Sequence, residues 1–168
     1  MKIIHERLQP WLGLAARLIL GGVLFAAGYL KVGSPDKSQM AVRAYELLPI
    51  SIANLLGLVL PAIEIAIGAL IVLGAVTRVV AALGGFTMFI FIIAIAQAWA
   101  RGLNIDCGCF GGGGTIEPGQ TQYLQEIIRD VGLVLLAWYL VRYPVTKFSI
   151  DKDPAGRAGS ITEAGDVR

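Results

Sequence analysis

Residues 79–100 read VVAALGGFTMFIFIIAIAQAWA, a run of apolar sequence without a single charged side chain. A helix of about 20 apolar residues crosses the hydrocarbon core of a bilayer. Lipid offers no water to an unpaired backbone, so a segment in that environment must form its hydrogen bonds within itself. This stretch therefore predicts a transmembrane helix and an all-α membrane fold.

Three further apolar runs accompany it, at 11–30, 53–73 and, less cleanly, 123–143. The chain has 168 residues, 56% of them hydrophobic, and its connections are too short for a second domain. We therefore predict an integral membrane four-helix bundle over residues 1–145. Residues 146–168 are rich in charge, glycine and serine, which predicts a disordered cytoplasmic tail.

The placement of basic residues predicts the orientation of the bundle. Cytoplasmic segments of membrane proteins carry the excess of Lys and Arg. We therefore expect a multi-pass protein of the cytoplasmic (inner) membrane, with both termini in the cytoplasm and the 102–121 loop outside it. The basic residues on the predicted cytoplasmic side are Lys2, Arg7, Arg78, Arg142, Lys147, Lys152, Arg157 and Arg168, against Lys31, Lys37, Arg43 and Arg101 on the other.

Two smaller features complete this organisation. The 11–30 run is longer than a signal-peptide core and contains Arg17, so we expect a retained helix. Residues 39–48 have their apolar side chains on one side, which is typical of a short interfacial helix after the first span, although an ordinary extended loop fits as well. The net charge of +2 is small, and we expect no nucleic-acid partner.

The chain has two cysteines, Cys107 and Cys109, in the predicted extracytoplasmic loop. Disulfides persist in such oxidising locations. A bridge across one residue closes a very small ring, which makes it easier to reduce, and it removes little chain entropy. Gly108 gives the backbone the freedom to form and open that ring. The pattern favours thiol–disulfide exchange, and both cysteines are expected to be exposed.

Other uses of the pair remain open. Thiolates are natural ligands of soft metals such as copper, zinc or mercury, but two sulfurs leave a structural zinc site incomplete and no His lies close by in the sequence. We therefore predict no resident metal. The two cysteines would otherwise be unpaired apolar residues or bond to another protein.

Ionisable residues at membrane depth usually face the interior of a bundle with a partner. At 1.5 Å per residue, Arg17 lies about 9 Å and Glu64 about 14 Å from the cytoplasmic boundary. Arg17 shares a helix face with Gly21 and Gly28, which would let the second span approach closely. We therefore predict an Arg17–Glu64 pair. It is either a packing device or a site that handles a proton or contacts the head group of a quinone.

Arg129 and Asp130 lie about 10 Å into the fourth span by the same rise, under the cysteine loop. An Arg near a thiol favours the reactive thiolate. The alternative is that both residues face a wet cleft or cap the loop.

The chain resembles DoxX-like membrane proteins, and within them the branch of the methylamine-utilisation protein MauE. The resemblance covers roughly residues 17–143. It rests on 17–31 (RLILGGVLFAAGYLK), 45–49 (YELLP), Leu60-Pro61 with Glu64, 106–111 (DCGCFG) and Arg129.

The resemblance implies a four-helix membrane protein associated with redox chemistry. MauE-like proteins are linked to a thioredoxin-like partner, and wider DoxX relatives to quinone-linked oxidation. The implied reactive residues are Cys107 and Cys109, and the implied polar core is Arg17, Glu64 and Arg129. Vitamin K epoxide reductase-like enzymes are similar in kind, but they relay electrons through a second cysteine pair that this chain does not have.

The leading hypothesis is a membrane thiol–disulfide oxidoreductase, or a redox accessory protein, that exchanges disulfides with an extracytoplasmic thioredoxin-like partner. The sequence requires no cofactor, and a quinone is the membrane acceptor suggested by analogy. The alternatives are a soft-metal transporter or chaperone that uses the two thiolates, and a scaffold subunit of a membrane complex.

Overall fold

The computed structural model describes residues 2–144, 146, 149 and 150. Five helices and one small hairpin lie in this part of the chain. They are α1 (Lys2–Val32), α2 (Pro35–Ala44), α3 (Ile50–Leu73), α4 (Thr77–Ala100), β1 (Ile105–Asp106), β2 (Gly114–Thr115) and α5 (Tyr123–Arg142).

Three of these helices are long and apolar enough to cross a membrane by length and composition. They are α1 over Gln9–Val32, α3 and α4, each with 24 residues in the apolar stretch. The predicted runs at 11–30, 53–73 and 79–100 correspond to these three helices. In α5, by contrast, Glu126, Arg129 and Asp130 interrupt the apolar sequence of the first turns. The chain is thus a mostly helical membrane protein with three long apolar helices.

The helices pack as two antiparallel pairs that share one core. α1 packs chiefly on α3, and α4 chiefly on α5. A cluster of buried side chains joins all four helices, and its members include Leu20, Leu24, Ile71, Met88 and Leu140.

Glycines set the distance between α1 and α3. A Cβ added to Gly21 would lie 2.8 Å from the carbonyl oxygen of Gly68, and one added to Gly28 would lie 2.5 Å from that of Pro61. Real side chains do not approach a backbone so closely, so only glycine fits at these points. The prediction that Gly21 and Gly28 let the second span come close is confirmed.

The short helix after the first span begins earlier than predicted. Its bounds are Pro35–Ala44 instead of 39–48, because Pro35 occupies the first helical turn, where its missing N–H is not needed. The helix packs on α3: Ser38 Oγ donates a hydrogen bond of 2.6 Å to the carbonyl oxygen of Gly57.

The hairpin of β1 and β2 was not predicted, since two-residue strands in a glycine-rich loop show no alternating pattern. Ile105 pairs with Thr115, and Asp106 with Gly114, in antiparallel register. The predicted tail, 146–168, lies outside the described residues except for Thr146, Ser149 and Ile150. Ser149 Oγ and the backbone N–H of Ile150 both donate hydrogen bonds to the carbonyl oxygen of Gly74, in the turn between α3 and α4.

We expect Gly28→Ala to destabilise the fold, because the new methyl group would meet Pro61 and Ile65 of α3. Overpacking of this kind costs about 1–3 kcal/mol. Gly22→Ala is the matched control, since a Cβ there has nothing within 4 Å. Thermal unfolding in detergent should show a lower midpoint for Gly28→Ala and no decrease for Gly22→Ala. Equal midpoints would contradict the close packing of α1 on α3.

Candidate functional site

The loop that carries the cysteines is fixed to the start of α5. The Tyr123 hydroxyl donates to the carbonyl oxygen of Leu103 at 2.5 Å and accepts from the backbone N–H of Ile105 at 3.1 Å. Ile105 and Tyr123 are buried with Ile95 and Ala98 of α4 in a second, smaller apolar cluster. The first residues of the loop, between α4 and the cysteines, are therefore fixed by hydrogen bonds to Tyr123 and by apolar packing on α4.

The turn at the cysteines depends on Gly108, whose φ of +69° is in the left-handed region. A side chain there would also collide with Ala41 of α2. The backbone N–H of Gly108 donates to Asp106 Oδ1 at 2.9 Å, and that of Cys109 donates to Cys107 Sγ at 3.1 Å. The two sulfurs are brought together as a bonded pair, with the Cα atoms 5.3 Å apart.

The two cysteines differ in exposure. Cys107 is half-buried, whereas Cys109 is 7% exposed. The expectation that both are exposed is therefore wrong for Cys109. The reason is that the loop folds back against the helices, so that Cys109 faces the bundle.

Cys107 lies at a cavity of about 330 Å³, which we call the loop cavity. Its polar lining comes from the loop and the first turns of α5. The residues that line it are Asp106, Cys107, Phe110, Gly112, Gln122, Gln125, Glu126 and Arg129.

Cys109 lines a different space, which we call the core cavity. Its volume is about 10 Å³, and it lies between the loop and the helices. Its polar lining consists of Cys109, Glu64, Arg129 and Asp130, and the apolar remainder includes Leu24 and Phe91. The buried cysteine thus shares a small cavity with two acidic side chains.

Tyr45 contacts the pair from the segment between α2 and α3. Its hydroxyl donates to the carbonyl oxygen of Cys107 at 3.2 Å. Burial, aided by the negative charge of Glu126, raises the pKa of Tyr45 above its ordinary value, so the hydroxyl stays protonated and remains a donor.

Arg129 lines both the loop cavity and the core cavity. Its Nε and Nη2 atoms are each 2.8 Å from Asp130 Oδ1, and its guanidinium lies 5.0 Å from the centre of the Phe110 ring. Asp130 itself is 1% exposed. Arg129 is therefore held by Asp130 and Phe110 while it lines the cavity at Cys107.

The predicted Arg17–Glu64 pair is wrong. Glu64 instead accepts from Lys31 Nζ at 2.8 Å through each carboxylate oxygen, and both side chains are buried. Arg17 donates to the carbonyl oxygens of Ile71 and Val72 at the end of α3, at 3.0 and 2.6 Å.

The antiparallel register explains this difference. With Gly21 beside Gly68 and Gly28 beside Pro61, Arg17 is level with the end of α3, roughly 12 Å from Glu64 at 1.5 Å per residue. Arg17 therefore caps the free carbonyls of a helix C-terminus, where a cation is favoured. Lys31 was missed because it was assigned to the loop side of the membrane. The feature of the sequence that could have identified Lys31 as the partner of Glu64 is its position on the same helix face as Gly21, Leu24 and Gly28.

One group of possible metal ligands lies in the described part of the chain. Cys107 Sγ and carboxylate oxygens of Asp106 and Glu126 lie within 4.8 Å of one another. A sulfur and two oxygens form a mixed donor set, and Cys107 Sγ is bonded to the sulfur of Cys109. This arrangement does not fit a closed structural zinc site, which takes four ligands.

The family model of methylamine utilisation protein MauE matches residues 9–142 of the chain. The methylamine utilization protein MauE of Paracoccus denitrificans is 33% identical over 109 residues, which cover 63% of this chain and 58% of that protein. The chain thus spans less than two thirds of the length of this relative. No solved structure matches it. The chain belongs to the MauE family, which confirms that part of the resemblance, and the DoxX-like relationship stays a prediction.

We expect Glu64→Gln to destabilise the protein strongly, because it leaves Lys31 buried without an anion. Removal of one partner of a buried pair costs about 3–5 kcal/mol. Glu46→Gln is the matched control: Glu46 pairs with Arg101 at 2.8 Å, but the two side chains are 60% and 42% exposed. An exposed pair of this kind contributes about 0–1 kcal/mol.

The measurement is thermal unfolding in detergent micelles, with the double variant Lys31→Met/Glu64→Gln included. The double variant should recover much of the stability lost in Glu64→Gln, because no charge is then left buried alone. An equal, small effect of Glu64→Gln and Glu46→Gln would contradict the buried pair.

Proposed function

We propose that this member of the MauE family is a membrane thiol–disulfide oxidoreductase, or a redox accessory protein, that exchanges disulfides with an extracytoplasmic thioredoxin-like partner. Family membership points to an accessory membrane protein of methylamine utilisation. The observation that carries the exchange hypothesis is the asymmetry of the pair: Cys107 lies at the loop cavity, whereas Cys109 is buried behind it.

This asymmetry assigns different roles to the two sulfurs. A partner's disulfide reaches Cys107 through the loop cavity, and the Cys107 thiolate attacks it. A mixed disulfide forms and one partner thiolate leaves. Cys109 then attacks Cys107 Sγ, closes the pair and expels the second partner thiolate. Two electrons pass from the chain to the partner, and the same steps in reverse pass them back.

Arg129 supports the first step. Its guanidinium lines the loop cavity together with Cys107. A nearby positive charge favours the thiolate, which is the nucleophilic form, over the thiol. Phe110 and Asp130 hold the guanidinium on either side, so little side-chain freedom is lost when the thiolate forms.

The proposed topology has four spans, with α5 as the fourth. α5 packs along α4, and Arg129 and Asp130 on it bond to each other and line the core cavity. This arrangement lets a helix with interior charges lie in a bundle. Both termini would then lie in the cytoplasm and the cysteine loop outside it, as the basic residues favour.

In the reverse direction, in which the partner reduces the pair, a quinone is the membrane acceptor we propose for the two electrons. An apolar groove of about 350 Å³ lies between α3, α4 and the segment after α2, and its lining includes Tyr45, Leu60, Phe86 and Phe91. Tyr45, Leu60 and Phe91 also line a small cavity against both cysteines. These residues fit an apolar ring system. A quinone held there would supply a lipid-soluble two-electron acceptor.

The second candidate function is a soft-metal transporter or chaperone. The cluster of Asp106, Cys107 and Glu126 favours it, because three ligand atoms lie close together at the loop cavity. It predicts that the reduced protein retains a soft metal and that Cys107→Ser abolishes retention. A scaffold role predicts instead that both cysteines are dispensable.

We expect the cysteine pair to switch between dithiol and disulfide in intact membranes when a thioredoxin-like protein is added in its reduced or oxidised form. Differential thiol trapping measures the two states. Because the bridge spans one residue, we expect its potential to lie above the value of about −300 mV that is typical of structural bridges. Cys109→Ser should accumulate a mixed disulfide with the added protein, because the resolving sulfur is lost.

Cys107→Ser is the matched control and should form far less mixed disulfide, since the remaining sulfur is buried. A pair that stays in one state under both conditions would refute exchange. Protection of the thiols by bound metal alone would favour the metal hypothesis.

A further inference from the structure

Asp130 lies beside the buried cysteine, and the exchange steps above use only one of its two carboxylate oxygens, Oδ1, which holds Arg129. It is 1% exposed and lines the core cavity together with Cys109. Asp130 Oδ1 accepts both bonds from Arg129, whereas Asp130 Oδ2 is buried and has no hydrogen-bond partner among the described residues. A buried carboxylate oxygen without a donor carries a desolvation cost, so it calls for an explanation.

We propose that Asp130 is the proton acceptor of Cys109. This inference rests on the proposed exchange function. A thiol must lose its proton before its sulfur attacks. Cys107 can release a proton to the loop cavity, but Cys109 is 7% exposed and faces the core cavity. Its proton therefore needs an acceptor inside the protein.

Among the acidic groups around the core cavity, Asp130 Oδ2 is the suitable acceptor. Both oxygens of Glu64 accept from Lys31 at 2.8 Å. Glu126, one turn earlier on α5, lines the loop cavity instead. The core cavity, at about 10 Å³, has room for about one water molecule, which is enough to connect a thiol with a carboxylate.

The resolving step can then be written in full. In the mixed disulfide, the Cys109 S–H gives its proton to Asp130 Oδ2. The Cys109 sulfur forms a bond to Cys107 Sγ, the bond from Cys107 Sγ to the partner sulfur breaks, and the partner leaves as thiolate. Cys107–Cys109 is oxidised by two electrons and the partner is reduced by two. In the reverse direction Asp130 returns the proton to the departing Cys109 thiolate.

The test follows this step with purified full-length protein in detergent, reduced and then mixed with dithiobis-nitrobenzoate in a stopped-flow instrument. The reagent releases one coloured thiolate when Cys107 attacks it and a second when Cys109 resolves the mixed disulfide. The first phase reports exchange at Cys107, and the second reports deprotonation of Cys109.

In the wild-type protein we expect the second phase to stay fast well below the ordinary thiol pKa of about 8.5 and to slow only when the carboxylate becomes protonated. A positioned general base contributes about 10²–10⁴-fold. Asp130→Asn should therefore slow the second phase about 10²-fold or more near neutral pH, with a rate that recovers as the pH rises. Its first phase should change far less than its second, because the amide oxygen left at position 130 can still accept a hydrogen bond from Arg129. Asp130→Glu should restore most of the rate, because it returns a carboxylate.

Asp36→Asn is the matched control: Asp36 is exposed in the first turn of α2, and both phases should be those of the wild type. A second phase in Asp130→Asn with wild-type rate and pH dependence would overturn the role of Asp130 while exchange stands. If the variant does not fold, the wild-type profile decides, since a second phase that rises only through the thiol pKa also overturns it. Absence of the first phase in the wild type would instead refute exchange itself.

Discussion

The register between α1 and α3 is the constraint on which the rest of the structure depends. It is set where the two backbones touch, at Gly21 against Gly68 and at Gly28 against Pro61. Close backbone approach of this kind is a main source of helix association in lipid. Apolar side chains gain little there by packing against one another instead of against lipid tails. Once these levels are fixed, the neighbours of Arg17 and Lys31 on α3 are decided. Lys31 meets Glu64 near the cysteine loop, and Arg17 meets the last carbonyls of α3 at the opposite end.

Two ion pairs contribute side chains to the core cavity: the buried pair of Lys31 with Glu64, and the pair of the half-buried Arg129 with the buried Asp130. Lys31 and Glu64 join α1 to α3, and Arg129 and Asp130 are neighbours on α5. A buried ion pair is weak support for stability, because desolvation offsets most of the attraction. For the proposed exchange, the relevant point is that Glu64, Arg129 and Asp130 line the same cavity of about 10 Å³ as Cys109. Electrostatic interactions are strongest in such surroundings, so they act on the thiol and thiolate states unequally.

Much of this arrangement could be predicted from the sequence, and the predictions that were wrong have physical reasons. The apolar runs and the glycine face of α1 give three long helices and the close contact with α3. The rise per residue, however, gives only the depth of a residue in the membrane. The prediction was wrong by one or two helical turns in where a span begins, and it therefore paired Arg17 with Glu64. Packing decides the partner instead. Likewise the spacing of Cys107 and Cys109 indicates a reactive pair, but the burial of Cys109 depends on helix residues that are distant in sequence, among them Leu24, Glu64 and Phe91.

The loop that carries the cysteines is held by contacts with three parts of the chain: Tyr45, Tyr123 and Ala41. The carbonyl oxygen of Tyr45 accepts from Gln97 of α4 and from Arg101, directly after α4, and the Tyr45 hydroxyl donates to the carbonyl oxygen of Cys107. Tyr123 holds the start of the loop, and the glycine turn rests on Ala41. These contacts fix the loop at its start, at the carbonyl of Cys107 and at the glycine turn. In the proposed exchange, the partner's disulfide would therefore have to reach Cys107 at the loop cavity. Since Cys107 lines the loop cavity and Cys109 lines the core cavity, the proposed proton transfer from Cys109 falls to a side chain of the helix bundle.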